Sequence, residues 1–216
     1  MMRGSDVSRS LKRAVDLLGA GLGLAILSGP MLVVAGAVRL TMGKPVLFRQ
    51  TRPGLGAKPF AITKFRTMKD ATGPNGTPLA DEARLTPLGR WMRRTSIDEL
   101  PELINVLKGD MSLVGPRPLC TKYLPYYTEA EQRRHSVRPG ITGLAQIAGR
   151  NHVRWDERLA LDVQYVDNWS LGLDFEILLK TLGLVLGRDG VVDAPGTMMQ
   201  DLDVERSSCG RKAGEP

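Results

Sequence analysis

The chain has 216 residues, of which 42% are apolar, and it carries a formal net charge of +7. The apolar fraction is enough to bury a core, which excludes a wholly disordered chain. The length predicts one domain with at most a short appendage. The positive charge indicates anionic partners: nucleic acid, an anionic membrane face or phosphorylated substrates. Aromatic residues make up only 5% of the chain and are not interleaved with basic ones, which argues against binding of single-stranded nucleic acid.

Cysteine and histidine are too sparse for a zinc site. The chain has two residues of each type, Cys120 and Cys209, and His135 and His152, and neither pair has the spacing of zinc ligands. We therefore expect reduced thiols in a cytosolic environment and no zinc.

Residues 17–38 form an uncharged apolar run that would reach about 33 Å as a straight helix, roughly the thickness of a bilayer core. Its middle is Ser28-Gly29-Pro30, where we expect a sharp bend because proline removes a backbone hydrogen bond. Basic residues flank the run on both sides: Arg9, Lys12 and Arg13 before it, and Arg39, Lys44, Arg49 and Arg52 after it. Positive charge marks the cytoplasmic side of a membrane. The pattern therefore predicts a re-entrant hairpin broken at Ser28 and Pro30, and a kinked spanning helix is the alternative.

The remainder predicts a mostly helical α/β domain with a small β element. Two short strands are expected at 46–50 and 60–65, joined by the turn-rich stretch RPGLGAKP, and a polar loop at 70–82. Apolar periodicity predicts helices around 85–94, 100–107, 126–135, 155–168 and 173–186. The last of these could pack in the core or lie at a bilayer surface. We expect a membrane segment at 1–40, a catalytic domain at 41–188 and a flexible tail at 189–216.

The stretch SIDELPELINVLKGDMSLVGPRP, which begins at Ser96, opens with two adjacent acids. Ser96 and Glu99 have the spacing of a capping box. Alternatively, Asp98 is an N-cap, with Pro101 in the first helical turn. A third reading is that Asp98 and Glu99 carry chemistry.

Arginines beside turn residues favour the third reading. Arg93 lies just upstream of the acids, Arg117 lies in Gly115-Pro116-Arg117-Pro118, and Arg138 and Arg150 lie beside glycines further along. Arginine in a stiff setting is a common clamp for phosphate oxygens. Acids beside such a cluster could hold Mg²⁺, which bridges phosphates and takes only one or two carboxylates.

These motifs resemble the bacterial polyprenyl-phosphate phosphoglycosyl transferases, a family of sugar transferases, in their minimal, PglC-like monotopic form. The resemblance covers about residues 10–188 and includes QTRPG, KFRTM, the SIDELPELINVLKGDMSLVGPRP stretch, RPGITGLAQIAGRN and LDVQYV. One departure is Gly29, which stands between Ser28 and Pro30 where the family places serine directly before proline, so the bend angle is open.

The resemblance implies transfer of a sugar-1-phosphate from a UDP-sugar to undecaprenyl phosphate, or another polyprenyl phosphate, at the cytosolic face of the bacterial inner membrane. Asp98 would be the nucleophile of a ping-pong reaction and form an aspartyl-phosphosugar, while Glu99 would bind Mg²⁺. The candidates for phosphate contacts are Lys64, Arg93, Arg117, Arg138 and Arg150, and Asp162 is a candidate supporting acid. The product would start the assembly of a glycan or polysaccharide.

Two rivals stay open at this point. One is a membrane-anchored basic protein without enzymatic activity that binds anionic lipid or nucleic acid. The other is a transferase that works in one step through a ternary complex. Nucleic acid is not expected as a partner, because the basic residues lie beside turns and acids rather than along one helical face. No motif indicates which sugar is carried or how many chains assemble.

Overall fold

The computed structural model describes residues 3–73, 75–77, 79–149, 153–187 and 200–208. The helices within these ranges are α1 (Arg3–Met42), α2 (Asp81–Arg84), α3 (Pro87–Thr95), α4 (Glu102–Lys108), α5 (Glu129–Gln132), α6 (Leu144–Gly149), α7 (Trp155–Asp167), α8 (Leu171–Gly187) and α9 (Leu202–Ser208). The strands are β1 (Leu47–Pro53), β2 (Pro59–Phe65), β3 (Ser112–Val114) and β4 (Gly140–Thr142). The mostly helical architecture with a small β element is as predicted.

Strands β1 and β2 form the predicted antiparallel hairpin, with Leu47 opposite Phe65 and Pro53 opposite Pro59. The connection turns tightly, because Gly54 N donates to Lys58 O at 2.8 Å. The hairpin positions the site, because β2 carries Lys64 and packs against α4.

Strands β3 and β4 form a second, parallel pair in which Ser112 lies opposite Gly140. The backbone after β3 and the start of β4 approach so closely that a Cβ built at Gly140 would lie 2.1 Å from Gly115 N. Position 140, where β4 meets the turn that follows β3, therefore requires glycine. This contact holds the turn that presents Arg117.

Helix α1 runs without interruption from Arg3 to Met42 and contains Pro30. The predicted hairpin is therefore not confirmed. Ser28 Oγ donates to Ala25 O at 2.9 Å, whereas the carbonyl that Pro30 leaves without a helical partner is that of Ile26. Among the described residues, α1 is the one helix long and apolar enough to cross a bilayer.

One face of α1 packs on the domain along most of the helix. Ala20 belongs to a buried cluster with Leu103 of α4, and Val38 belongs to another with Phe65 of β2 and Met92 of α3. The residues along this stripe are Asp16, Ala20, Leu24, Leu27, Met31, Val34 and Val38, at helical spacing. The opposite face exposes Leu18, Leu22, Ile26, Leu32 and Val33.

Polar contacts fix α1 to the domain at Arg13 and Asp16, about three turns from its start, and at Met42, its last residue. Near its start, Arg13 Nη1 donates to Val106 O at 2.7 Å, and Asp16 Oδ1 accepts from Ser112 Oγ at 2.9 Å and from Leu113 N at 3.0 Å. At its end, Arg66 donates to the Met42 carbonyl. Helix α1 therefore lies along the domain rather than projecting away from it.

Helix α8 was expected either to pack in the core or to lie at a bilayer surface. It has one face in the core and one exposed apolar face. Ile177 is fully buried in a cluster with Val114 and Tyr165. On the other side, Phe175 is 63% exposed, and Leu179, Leu182 and Val185 continue the exposed apolar stripe. One face thus belongs to the core and the other is unpartnered apolar surface.

Two expectations need correction. The helix predicted at 126–135 is a series of short turns, because Pro125 lies in the 3-10 turn Thr121–Tyr126 and Thr128 starts α5 afresh with a capping box. The expected loose tail is wrong for α9, where Leu202 is fully buried and Arg206 Nη2 contacts Glu131 at 2.6 Å. Of the rest of that tail, 189–199 and 209–216 lie outside the described residues.

Candidate active site

Asp98 and Glu99 lie in a 3-10 turn, Ile97–Glu99, between α3 and α4, and neither residue caps a helix. Ser96 ends α3 in the left-handed conformation at φ 57°, and its side chain makes no capping hydrogen bond. Helix α4 begins three residues beyond Glu99 and has Pro101 at its N-cap, without a side-chain cap. Both capping readings are therefore wrong, and the acids are available for another role.

The Asp98 side chain is buried without a dedicated partner. The residue is only 7% exposed, and its carboxylate makes no hydrogen bond within the described part of the chain. Burial and the neighbouring charge of Glu99 raise the pKa of Asp98, while Lys64, Arg117 and Arg93 act in the opposite direction. A carboxylate that is held close to cations but not saturated by them retains lone pairs for reaction.

Glu99 is held by two cations. Lys64 Nζ donates to Glu99 Oε1 at 2.6 Å, and Arg117 contacts both carboxylate oxygens, with Nη1 to Oε2 at 3.2 Å. Burial opposes ionisation of Glu99, but Arg117 and Lys64 outweigh it and hold the pKa of this carboxyl well below its usual range. Glu99 in turn raises the pKa of Arg117. Glu99 is therefore ionised across the physiological pH range.

A third acid, Glu102, was missed by the sequence analysis. It is 1% exposed, and its Oε1 lies 3.1 Å from Lys64 Nζ. Burial and the charge of Glu99 raise the pKa of Glu102 to about 7. Its spacing of three residues from Glu99, which places it on the same side of a helix start, is the signal that could have found it.

The predicted phosphate-binding residues separate into three groups. Lys64 and Arg117 contact Glu99, and Arg93 lies near enough to Asp98 to lower its pKa while its Nε donates to Thr67 Oγ1 at 3.2 Å. Arg138 is instead bound at the far end of α4, where its Nε donates to Gly109 O at 2.8 Å, about 10 Å of helix away from the acids. The structure does not bring Arg138 to the carboxylates. Arg150 lies outside the described residues.

Asp162 reaches the site through an arginine. It is 2% exposed on α7 and forms an ion pair of 2.7 Å with Arg134, which is itself 3% exposed. Arg134 Nη2 also donates to the Arg117 carbonyl at 2.6 Å. Burial raises the pKa of Asp162 while Arg134 lowers it. Sequence reasoning singled out Asp162 but not Arg134.

The donor set is compatible with one magnesium ion. Within the described ranges, no three acidic, histidine or cysteine residues come together as a metal site. Asp98 and Glu99 nevertheless supply adjacent oxygen ligands, and Mg²⁺ bound to phosphates takes only one or two carboxylates. Glu99 would have to share its oxygens with Arg117 and Lys64, whereas Asp98 has lone pairs free.

Comparison with known proteins identifies the family. A family model described as bacterial sugar transferase matches residues 7–188. The "Uncharacterized sugar transferase EpsL" of Bacillus subtilis is 55% identical over 181 residues, which are 84% of this chain and 90% of that protein. A Caulobacter vibrioides protein named UDP-glucose:undecaprenyl-phosphate glucose-1-phosphate transferase is 44% identical over 82% of this chain and 70% of its own length. An Escherichia coli protein of the same name is 42% identical over 82% of this chain but only 40% of its own length. The chain belongs to the bacterial sugar transferases, the polyprenyl-phosphate phosphoglycosyl transferases that its motifs predict.

Proposed function

We propose that this protein transfers a sugar-1-phosphate from a UDP-sugar to undecaprenyl phosphate, or a similar polyprenyl phosphate, and so starts the assembly of a glycan. The observation that carries the proposal is the buried Asp98 carboxylate, which makes no hydrogen bond among the described residues and lies beside Lys64, Arg93 and Arg117. The printed names of the Caulobacter and Escherichia relatives support the two substrates.

The proposed reaction has two steps. An Asp98 oxygen attacks the sugar-bearing phosphorus, the bond to the bridging oxygen breaks, and UMP leaves with that oxygen. A phosphate oxygen of the lipid then attacks the same phosphorus, the bond to Asp98 breaks, and the Asp98 carboxylate is regenerated. Neither a carboxylate nucleophile nor a phosphate acceptor needs a general base. The proposal thus accounts for a site made of acids and cations.

Arg117, Lys64 and Arg93 would bind the diphosphate and neutralise the charge that develops on it. Phosphoryl transfer depends mostly on positioning and electrostatic stabilisation, which cations in fixed positions supply. Glu99 keeps Lys64 and Arg117 charged and close to Asp98. In the resting enzyme Glu99 therefore holds these cations where the diphosphate would bind.

Glu99, with Asp98, would hold a magnesium ion. Such an ion would offset the negative charge of the phosphates. Asp98 would in addition be the nucleophile, while Glu99, the more acidic of the two carboxyl groups, stays ionised.

The packing of α1 supports a monotopic arrangement at the cytosolic face of the bacterial inner membrane. A helix that crossed the bilayer would carry one of its ends away from the catalytic domain, yet α1 contacts that domain from Arg13 to its last residue, Met42. The outward face of α1 and the exposed stripe of α8 are both apolar, as expected of surfaces that enter one leaflet. This arrangement would bring a soluble nucleotide sugar and a lipid phosphate to the same site.

The proposed function is tested by UMP release from a panel of UDP-sugars by the purified full chain. We expect UMP with at least one sugar, both with and without undecaprenyl phosphate, because a ping-pong enzyme releases UMP before the acceptor binds. UMP formed only when the lipid is present would favour the one-step reaction. No UMP with any sugar, together with binding to anionic vesicles, would favour the non-enzymatic alternative.

A further inference from the structure

A buried ion pair behind the active site carries an inference that rests on the proposed function. Arg134 lies in the 3-10 turn Arg133–Ser136 and Asp162 lies on α7, and both residues are almost completely buried. Burying two charges costs several kcal/mol per ion before their attraction is counted, so such a pair is weak evidence of a stabilising role.

The geometry of the pair is poorly suited to stability alone. Arg134 Nε and Nη2 both donate to the same oxygen, Asp162 Oδ2, at 3.1 and 2.7 Å. The other oxygen, Asp162 Oδ1, is buried and has no hydrogen-bond partner in the described part of the chain. A buried carboxylate oxygen without a partner is unfavourable. The arrangement instead turns Nη2 of Arg134 toward a further acceptor.

That acceptor is the carbonyl oxygen of Arg117, at 2.6 Å from Arg134 Nη2. The other contacts of this turn are backbone to backbone: Gly115 N donates to Thr142 O at 2.9 Å, and Gly140 N donates to Pro116 O at 3.0 Å. Arg134 is thus the side chain that completes the frame around Arg117.

Arg117 needs this frame because its own side chain is only partly enclosed. The side chain is 38% exposed, and the hydrogen bonds it makes go to Glu99. Those bonds would have to be shared when a diphosphate binds. The direction of the guanidinium then depends on the backbone from which it extends, which Pro116 and Pro118 stiffen and Arg134 anchors.

We propose that Arg134, oriented by Asp162, is a positioning residue that holds the backbone of Arg117 so that its guanidinium meets the diphosphate of the nucleotide sugar. Arg134 acts through Arg117 and contacts no substrate itself. Asp162 sets the direction of Arg134.

The test replaces the pair by apolar residues of similar volume, Arg134→Met with Asp162→Leu, and measures steady-state UMP release as the UDP-sugar concentration is varied at saturating undecaprenyl phosphate. Such replacements often leave stability unchanged, so we expect an unfolding midpoint close to that of the wild type. We expect kcat/KM to fall about 10- to 100-fold, because a small misplacement of a charge-bearing group is costly. The more conservative Arg134→Lys, which keeps the positive charge and one donor nitrogen, should lose less.

A matched control is available in Arg206, another buried arginine that binds a carboxylate, Glu131, and donates to a backbone carbonyl, that of Tyr126. This pair anchors α9 and does not contact the site residues. Arg206→Met with Glu131→Gln, in which glutamine can retain the capping contact to Thr128, should leave kcat/KM within about twofold of the wild type.

The decisive comparison introduces the apolar pair into an Arg117→Ala background, where no guanidinium remains to be positioned. If Arg134 acts through Arg117, the pair replacement should then cost less than about twofold, because coupled residues are not additive. Losses that multiply, or full activity of the apolar pair in the wild-type background, would overturn the inference. If the wild-type protein releases no UMP, the proposed function and the inference both fail. If the wild-type protein is active but the losses multiply, the inference alone fails.

Discussion

The ammonium of Lys64 lies 3.1 Å from a carboxylate oxygen of Glu102, a residue that is 1% exposed. The same ammonium lies 2.6 Å from Glu99. One cation thus serves two acids in the interior of the site. Burial and the charge of Glu99 together outweigh Lys64 and raise the pKa of Glu102 to about 7.

This shift predicts a pH-dependent stability. Because the folded-state pKa of Glu102 lies above its ordinary value of 4.5, folding favours the protonated form, and this contribution is lost as the pH rises from about 4.5 through 7. Glu102→Gln should therefore stabilise the protein relative to the wild type increasingly between pH 5 and 8, by roughly 1–3 kcal/mol at the upper end.

The measurement is chemical denaturation at several pH values, with the exposed Glu129→Gln as control. A difference between Glu102→Gln and the wild type that stays constant with pH would contradict the raised pKa.

Asp98→Asn should abolish turnover, by about 10³-fold or more, without unfolding the protein. The amide cannot act as the nucleophile, while it preserves the size of the side chain. No helix cap is lost, because α4 starts from Pro101. UMP release and a thermal melt measure the two effects, and the exposed Asp81→Asn is a suitable control. Turnover at the wild-type rate would return Asp98 to a structural role.

Glu99→Gln should lower activity steeply and raise the magnesium concentration needed for half-maximal rate. Glutamine removes the charge that both Arg117 and Lys64 contact, and it is a weaker ligand for Mg²⁺ than a carboxylate. UMP release titrated with Mg²⁺ and with a chelator measures this dependence. Full wild-type activity in excess chelator would remove magnesium from the mechanism.

Both ends of α1 should face the cytoplasm. The protein carries basic residues on both flanks of its apolar run, and α1 contacts the same domain from Arg13 to its last residue, Met42. A cysteine placed at Ser5 should therefore be protected, in intact cells, from a thiol reagent that cannot cross the inner membrane. Clear labelling in the wild-type background would refute the monotopic arrangement.

The sequence predicted the elements that carry their own local signals. The hairpin of β1 and β2 has turn residues between two apolar runs, and α7 has a sustained helical period, so both were found within a few residues of their ends. The parallel pair of β3 and β4 was missed, because three-residue strands brought together from distant parts of the chain leave no periodic pattern. Helix α9 was missed for a similar reason, since a seven-residue helix that depends on tertiary contacts has little signal of its own.

Sequence reasoning selected two adjacent acids that the structure surrounds with cations, and it missed other residues that contact this cluster. The Asp98 and Glu99 pair stood out, yet the capping readings failed because Ser96 ends the preceding helix instead of starting the next one. The contact from Arg134 to the Arg117 carbonyl joins residues 17 apart in sequence, and no local motif announces such a bond. Arg138 shows the converse error, since an arginine beside turn residues can bind a helix end instead of a substrate.

The central claim is that Asp98 forms a covalent bond to the phosphosugar. The most direct measurement is peptide mass spectrometry of the full chain after incubation with a UDP-sugar in the absence of lipid and an acid quench. We predict an added mass of one sugar phosphate on the peptide that contains Asp98, its absence in Asp98→Asn, and its loss when undecaprenyl phosphate is added. Turnover to the lipid product with no adduct on this peptide at any time, and with UMP formed only in the presence of lipid, would contradict it.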